Sequence, residues 1–338
     1  MKTTISIDAM SGDFGPEVTV DAALQALKDD LDLHIILVGD EVKLRQHLSQ
    51  NVDRLEIQHA SEVVEMDDSP ALALKKKKDS SMRVAINMVK EERADAAISA
   101  GNTGALMATA RFVLKMLPGI ERPAICTELP TEHGSVHMLD LGANVDSSPE
   151  MLLQFAFMGS ELSSVTRKIE HPRIGLLNVG SEEIKGNIKV KAASELISNS
   201  HLNYVGYVEG DEIFKDKADV IVCDGFEGNI ALKTSEGVAR LITTIAREEF
   251  TRNAVRKLFG IICSPVLKSV KKRLDPRIYN GATLSGLRGV VIKSHGGADV
   301  TAFLSAIKVA SEEAKLNLPE RILETIQQQM PMQAVNEQ

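Results

Sequence analysis

Seven short segments hold most of the side chains suited to chemistry. They are DAMSGDFGP (8–16), SAGNTGA (99–105), DLGANVDSSPE (140–150), NVGSEEIKGN (178–187), CDGFEGNIALK (223–233), NGATLSGLRG (280–289) and SHGGAD (294–299). Each follows an apolar run or enters a helical pattern. Glycine lets backbone N–H groups approach a ligand, and a helix N-terminus favours an anion. One Gly-Asn-Thr-Gly turn alone would be a plain strand-to-helix connection. Seven such turns predict a shared anion-binding rim.

The elements that must position these turns are short apolar strands alternating with helices. Ile5–Asp8, His34–Val38, Ala96–Ser99, Val136–Asp140, Ile174–Asn178, Val205–Val208, Val220–Cys223 and Val290–Lys293 read as strands. A turn from Met10 to Gly15 leads to a helix at Pro16, and Ser69-Pro70 reads as a helix cap with proline in the first turn. Strand, glycine-rich turn and helix in repetition predict a three-layer α/β/α, Rossmann-like fold with a mostly parallel sheet. In such a sheet ligands bind beyond the carboxyl ends of the strands, so all the turns are expected at one rim. No repeat or proline-rich linker divides 1–338, which reads as a single α/β domain. Residues 237–277 lack strand signals, and Val238, Leu241, Ile242, Ile245 and Ala246 follow helical spacing. This stretch is expected to protrude as a helical arm, broken at Gly260 and Ser264-Pro265.

Composition and missing motifs narrow the function. The net charge of -8 disfavours a nucleic-acid partner. Cys126, Cys223 and Cys263 lack metal-ligand spacing and read as reduced thiols, so no metal is expected. There is no Gly-x-Ser-x-Gly elbow, no dinucleotide fingerprint and no P-loop, so no cofactor is expected either. Asp-Phe-Gly at 13–15 has none of the other kinase signatures. The N-terminus has no signal-peptide pattern, and no run of 18 apolar residues occurs.

The seven segments, in this order, resemble the PlsX family of phosphate acyltransferases from about Thr4 to about Leu318. The family usually reads Met-Gly-Gly-Asp where this chain has Met10-Ser11-Gly12-Asp13. The resemblance implies a fold akin to isocitrate and isopropylmalate dehydrogenases and to phosphotransacetylases. It also implies a homodimer and conversion of acyl-acyl-carrier-protein plus phosphate to acyl-phosphate plus free carrier. Gly12, Asp13, Gly101, Asn102, Thr103, Asn144, Gly186, Asn187, Gly228, Gly281, Ser294 and Gly296 are then candidates for substrate and phosphate binding. Lys185 is expected to meet the phosphate charge, or else to be a solvated loop lysine. Asn229 would donate to phosphate or thioester oxygen, or simply cap a helix. His295 would move a proton or donate to an oxyanion, or be satisfied structurally. Asp8, Asp140 and Asp224 are expected to orient these groups from behind.

Between Arg247 and Arg277 nine basic residues face three acidic ones. They flank the uncharged run Leu258–Leu267, where Phe259, Ile261, Ile262, Val266 and Leu267 form an expected membrane tip. Lys75–Lys78 is a second basic run, read as a solvated helix face with carrier docking as the alternative. The expected partners are a second copy of the chain, acyl carrier protein, an anionic membrane surface and the acyltransferase that would pass the acyl-phosphate to glycerol-3-phosphate. The expected location is the cytoplasm, at the inner face of the cell membrane. A phosphotransacetylase for short acyl-CoA, a lipid-enzyme scaffold and an NAD-dependent decarboxylating dehydrogenase are the alternative functions.

Overall fold

A computed structural model describes residues 2–48 and 52–329, without the side chains of Lys271 and Lys272, two members of the expected basic flank. The first third supplies β1 (Thr3–Asp8), α1 (Pro16–Asp29), β2 (Leu33–Gly39), α2 (Glu41–Gln46), β3 (Leu55–His59), α3 (Pro70–Lys76), α4 (Ser81–Lys90), β4 (Ala96–Ser99) and α5 (Thr103–Leu114). Next come β5 (Ala124–Pro130), β6 (Ser135–Leu139), α6 (Pro149–Arg167), β7 (Arg173–Leu177), α7 (Ile188–Ser198), β8 (Asn203–Val208) and β9 (Val220–Val222). The last third supplies α8 (Gly225–Thr251), α9 (Ala254–Ile262), α10 (Ser264–Arg273), β10 (Ala282–Ser285), β11 (Val290–Lys293), α11 (Val300–Lys315) and α12 (Leu318–Gln329).

The strands join in one sheet of order β3-β2-β1-β4-β11-β10-β5-β6-β9-β7-β8. Alternate side chains of each strand enter different clusters, as the two-residue period requires. Ile5, Ile7, Ile98 and Ile292 pack under α1 and α11. Ala97, Val291, Ile125, Met138 and Ile221 pack on the other face under α4, α5 and the start of α8. Leu139, Leu176 and Val222 pack against α6, α7 and α12. Three layers result, which is the expected α/β/α fold. Helix starts follow local chemistry, since the side chains of Asp40, Ser69, Ser80, Asn102, Ser148, Asn187, Asp224 and Asp299 each accept an N–H of the first turn.

The sheet is mostly parallel, as expected, but its strands do not all run one way. Strands β1, β2, β3, β4 and β11 are mutually parallel. Strand β10 is antiparallel to both β11 and β5, and β5 is antiparallel to β6. Strands β6, β9, β7 and β8 are parallel to one another. The second half of the sheet therefore runs against the first. Strands β3, β5 and β10 were not legible in the sequence, and β10 lies inside a segment read as a glycine-rich turn.

The helical arm also differs. Its first helix, α8, begins at Gly225 rather than near 237, and only Gly225 and Gly228 of it are buried. The break falls at Arg252-Asn253, where Asn253 caps α9. Gly260, the expected break, lies inside α9 against Phe250. The second break, before Ser264-Pro265, is found where expected.

Candidate active site

The carboxyl ends of β1, β4 and β11 form the first edge. Asp8, 1% exposed, accepts a hydrogen bond from Ser99 Oγ at 2.6 Å. Burial raises its pKa against the opposing hydroxyls of Ser81, Ser99 and Ser11. Ser11 Oγ donates to Asp8 O and accepts from Ala100 N, both at 2.9 Å, so this hydroxyl ties the β1 and β4 turns together. Gly12 has φ +84, and Asp13 N donates to Gly296 O at 2.9 Å. Asn280 Nδ2 donates to Ser294 Oγ at 2.9 Å, and its Oδ1 accepts from His295 N at 2.9 Å. His295 is exposed, and its Nδ1 accepts from Gly297 N at 3.0 Å. The ring proton is thereby assigned to the outward Nε2.

This edge also contains a residue that sequence reasoning missed. Lys293 Nζ donates to the carbonyls of Ala100 and Ser294. Burial lowers its pKa to about 8, although the charges of Asp8 and Asp13 act to raise it. The available signal was a lysine ending the apolar run Val290–Ile292.

The carboxyl ends of β6, β9 and β7 form the second edge. Asp140, fully buried, accepts from the backbone N–H groups of Ile125, Gly142, Ala143 and Asn144 and from Asn144 Nδ2. Burial raises its pKa in spite of these donors. Asp224 accepts from Ser147 N at 2.7 Å, Phe226 N at 2.9 Å and Lys189 Nζ at 3.0 Å. The two carboxylates hold the 140–147 loop through these hydrogen bonds. Lys189 is the second missed residue. Its partial burial pulls its pKa down, but the ion pairs with Asp224 and Asp146 outweigh this and raise it. It lines a cavity of about 540 Å³ with Arg122, Asp146, Ser147 and Ile188. Lys185 is exposed and makes no ion pair among the described residues, so its charge is uncommitted. Asn229 is half-buried in the second turn of α8 and lies over Gly142.

The expected single rim therefore resolves into two. Asp8, Gly12, Asp13, Gly101, Asn102, Thr103, Gly281, Ser294, His295 and Gly296 lie at the first edge. Asp140, Asn144, Lys185, Gly186, Asn187, Asp224, Gly228 and Asn229 lie at the second. The seven residues of β5 run from one edge to the other, so the edges are roughly 20 Å apart. His295 thus sits at a different edge from Lys185 and Asn229.

Several candidates have partners within the fold. Asn102 Oδ1 accepts from Ala105 N, and its Nδ2 donates to Met66 O and Asp68 O. Asn144 Nδ2 is shared between Pro123 O and Asp140. Asn187 caps α7. At Gly228 a Cβ would stand 2.0 Å from Asp140 O, so this glycine lets α8 touch the β6 end. Asn229 is not a helix cap, because Asp224 holds that position.

Comparison with known proteins bears on the identity of this arrangement. Residues 3–321 match the family model described as fatty acid synthesis protein. A phosphate acyltransferase of Nitrosococcus oceani is 57% identical over 326 residues, covering 95% of this chain and 96% of that one. One from Methylococcus capsulatus is 56% identical over 324 residues, with the same coverage. A phosphotransacetylase from Streptococcus pyogenes shares the fold at TM-score 0.63 and 18% identity, over 93% of this chain and 94% of that one. Matched along nearly its whole length, the chain belongs to the fatty acid synthesis protein family of PlsX-type phosphate acyltransferases.

Proposed function

We propose that this phosphate acyltransferase takes a long-chain acyl group from acyl carrier protein onto inorganic phosphate, as a step of phosphatidic acid synthesis. The observation that carries the long-chain reading is the border of the second edge. Val145, Val179, Ile184, Ile188, Phe226 and Ile230 are all exposed there, Ile188 at 89%. Large apolar side chains left wet around a polar set suit an apolar ligand.

The chemistry needs no covalent enzyme intermediate. A phosphate oxygen attacks the thioester carbonyl, the C–S bond breaks, and the carrier thiolate leaves and takes up a proton. In this reading Lys185 holds the phosphate charge and Asn229 donates to the developing oxyanion. His295 lies at the other edge and has no part in this step. Three further elements of the proposal are the homodimer, residence at the inner face of the cell membrane through the 237–277 arm, and hand-over of product to an acyltransferase acting on glycerol-3-phosphate.

The test is release of free carrier thiol from long-chain acyl carrier protein with and without phosphate. Release is expected only with phosphate, and faster than with short-chain acyl-CoA. Release that is unchanged when phosphate is withdrawn would overturn the proposal.

A further inference from the structure

Outside both edges, a strongly basic surface lies on α3, α4 and α5. Residues 70–90 and 103–118 contain eight basic side chains and one acidic one, Asp79, in a chain of net charge -8. Asp79 is occupied by the N–H and hydroxyl of Ser61. Lys77 is occupied by Asp68. Lys75, Lys76, Lys78, Arg111 and Lys115 remain exposed without an ion pair among the described residues.

Two cations flank an exposed aromatic ring on this face. Phe112 is 50% exposed, with Arg83 Cζ 5.3 Å from its ring centroid and Lys115 Nζ at 4.9 Å. Arg83 also donates to Leu74 O at 3.0 Å, which fastens α3 to this ring. An aromatic ring held between cations costs little further ordering when a partner arrives. The face also lies near the second edge. Lys115 O accepts from Arg288 N, and Leu117 N donates to Gly286 O, beside the carboxyl end of β10. That end pairs with the start of β5, next to the Asp140 loop.

We infer that this face docks a small acidic carrier protein whose tethered acyl thioester then reaches Lys185 and Asn229. Charge complementarity selects an acidic partner and steers its approach. A lipid surface fits less well, because the face has cations but no apolar wedge like that of the arm. The inference rests on the proposed reaction, and it names the surface that delivers the substrate.

The test is the triple variant Lys75→Glu, Lys76→Glu, Lys115→Glu, with Phe112→Ala as a second variant that keeps the charge. Both are assayed with acyl carrier protein and with a small acyl-pantetheine thioester. For the triple variant, KM for the carrier substrate should rise at least tenfold, kcat should hold, and the small thioester should be unaffected. The parent's KM should rise with salt, and the variant's should respond much less. Phe112→Ala should raise the carrier KM and keep the salt dependence. An unchanged carrier KM in the triple variant overturns the inference. So does loss of binding to anionic phosphatidylglycerol vesicles with the carrier KM intact, which would assign the face to the membrane. Failure of the parent to turn over either thioester would instead strike the proposed reaction.

Discussion

The hydroxyl at position 11 shows how one side chain can replace backbone freedom. The family resemblance places a glycine there, and serine reads as a neutral change. Instead Ser11 is 5% exposed, and its Oγ donates to the carbonyl of Asp8 and satisfies the N–H of Ala100. Ser11→Ala leaves Ala100 N–H buried without that partner. A loss of about 1–3 kcal/mol is expected, read as a lower urea midpoint at unchanged slope. An unaltered midpoint would mean water or a shifted turn satisfies the amide equally well. Lys185 gives the opposite kind of prediction. It is exposed and makes no ion pair among the described residues, so Lys185→Ala should leave stability alone and lower kcat by roughly 10²-fold if the charge acts in the transition state. Near-parental turnover at saturating phosphate would remove it from the mechanism. Lysines 185 and 293 also show what single residues conceal in a sequence. A flanking glycine turn marked Lys185, whereas Lys293 looked like the polar end of a strand, and only the fold shows its ammonium turned onto the carbonyls of Ala100 and Ser294.

Among the elements, the β10–α11 contact sets a pH dependence. Glu313 on α11 is 2% exposed and accepts from Thr283 Oγ1 on β10. Burial raises its pKa from 4.5 to about 8, opposed by the Thr283 hydroxyl and helped by Glu312. The folded state therefore holds a proton that the unfolded chain has released between those values. Stability from this group is fully present below about pH 4.5 and is lost as pH climbs through 8. The steepest loss is about 1.4 kcal/mol per pH unit. Glu313→Gln cannot titrate, so urea unfolding at pH 5, 6.5 and 8 should show the parent losing stability relative to it. Parallel pH profiles for the two proteins would disprove the buried, protonated carboxyl. Lys293 has the opposite sign, since its lowered pKa is a cost below about 8 that is relieved toward its ordinary 10.5.

The same elements explain what the sequence could and could not reveal. Strands such as Leu33–Gly39, buried on both faces, are continuous apolar runs and stand out. Strands β5 and β10 are mixed runs that pair antiparallel with each other from distant parts of the chain, and each also pairs antiparallel with its neighbour in sequence. Missing them hid the reversal of strand direction, and with it the division of seven similar turns between two edges. The cap at Ser69 was legible because it is local and followed by proline, whereas Asn187, read as a ligand-binding candidate, is the cap of α7. Whether an asparagine caps a helix depends on where its neighbours fold, as Asn102, a cap, and Asn229, inside α8, show.

At the scale of the whole molecule, α8, α9 and α10 present more apolar surface than solvent favours. Val238, Leu241, Ile242 and Ile245 on α8 are each about half exposed. A second copy packing on this stripe would cover it, and sedimentation at micromolar concentration should show a dimer. Further out, Phe259, Ile261, Ile262 and Val266 are 57–66% exposed, and Leu267 is 36% exposed. Lys257, Lys268 and Arg273 stand beside them in sequence. Among the described residues no helix is long and apolar enough to cross a membrane. The arrangement suits an element lying in an interface, with its apolar side chains in lipid and its cations at anionic headgroups. Each large side chain fully buried there would contribute roughly 1.5–3 kcal/mol, and each nearby cation about 1 kcal/mol. Since several of each are present, binding to phosphatidylglycerol vesicles should be measurable and weakened by salt. Ile261→Asp with Ile262→Asp removes two apolar contacts and adds two negative charges at that surface. Flotation with vesicles should be lost, while acyl-phosphate synthesis in solution stays within about twofold, since the edge residues are untouched. The tip could instead be covered by the dimer, in which case the double variant would sediment as a monomer and the parent would not float. A dimeric double variant that floats as well as the parent would place the membrane contact elsewhere.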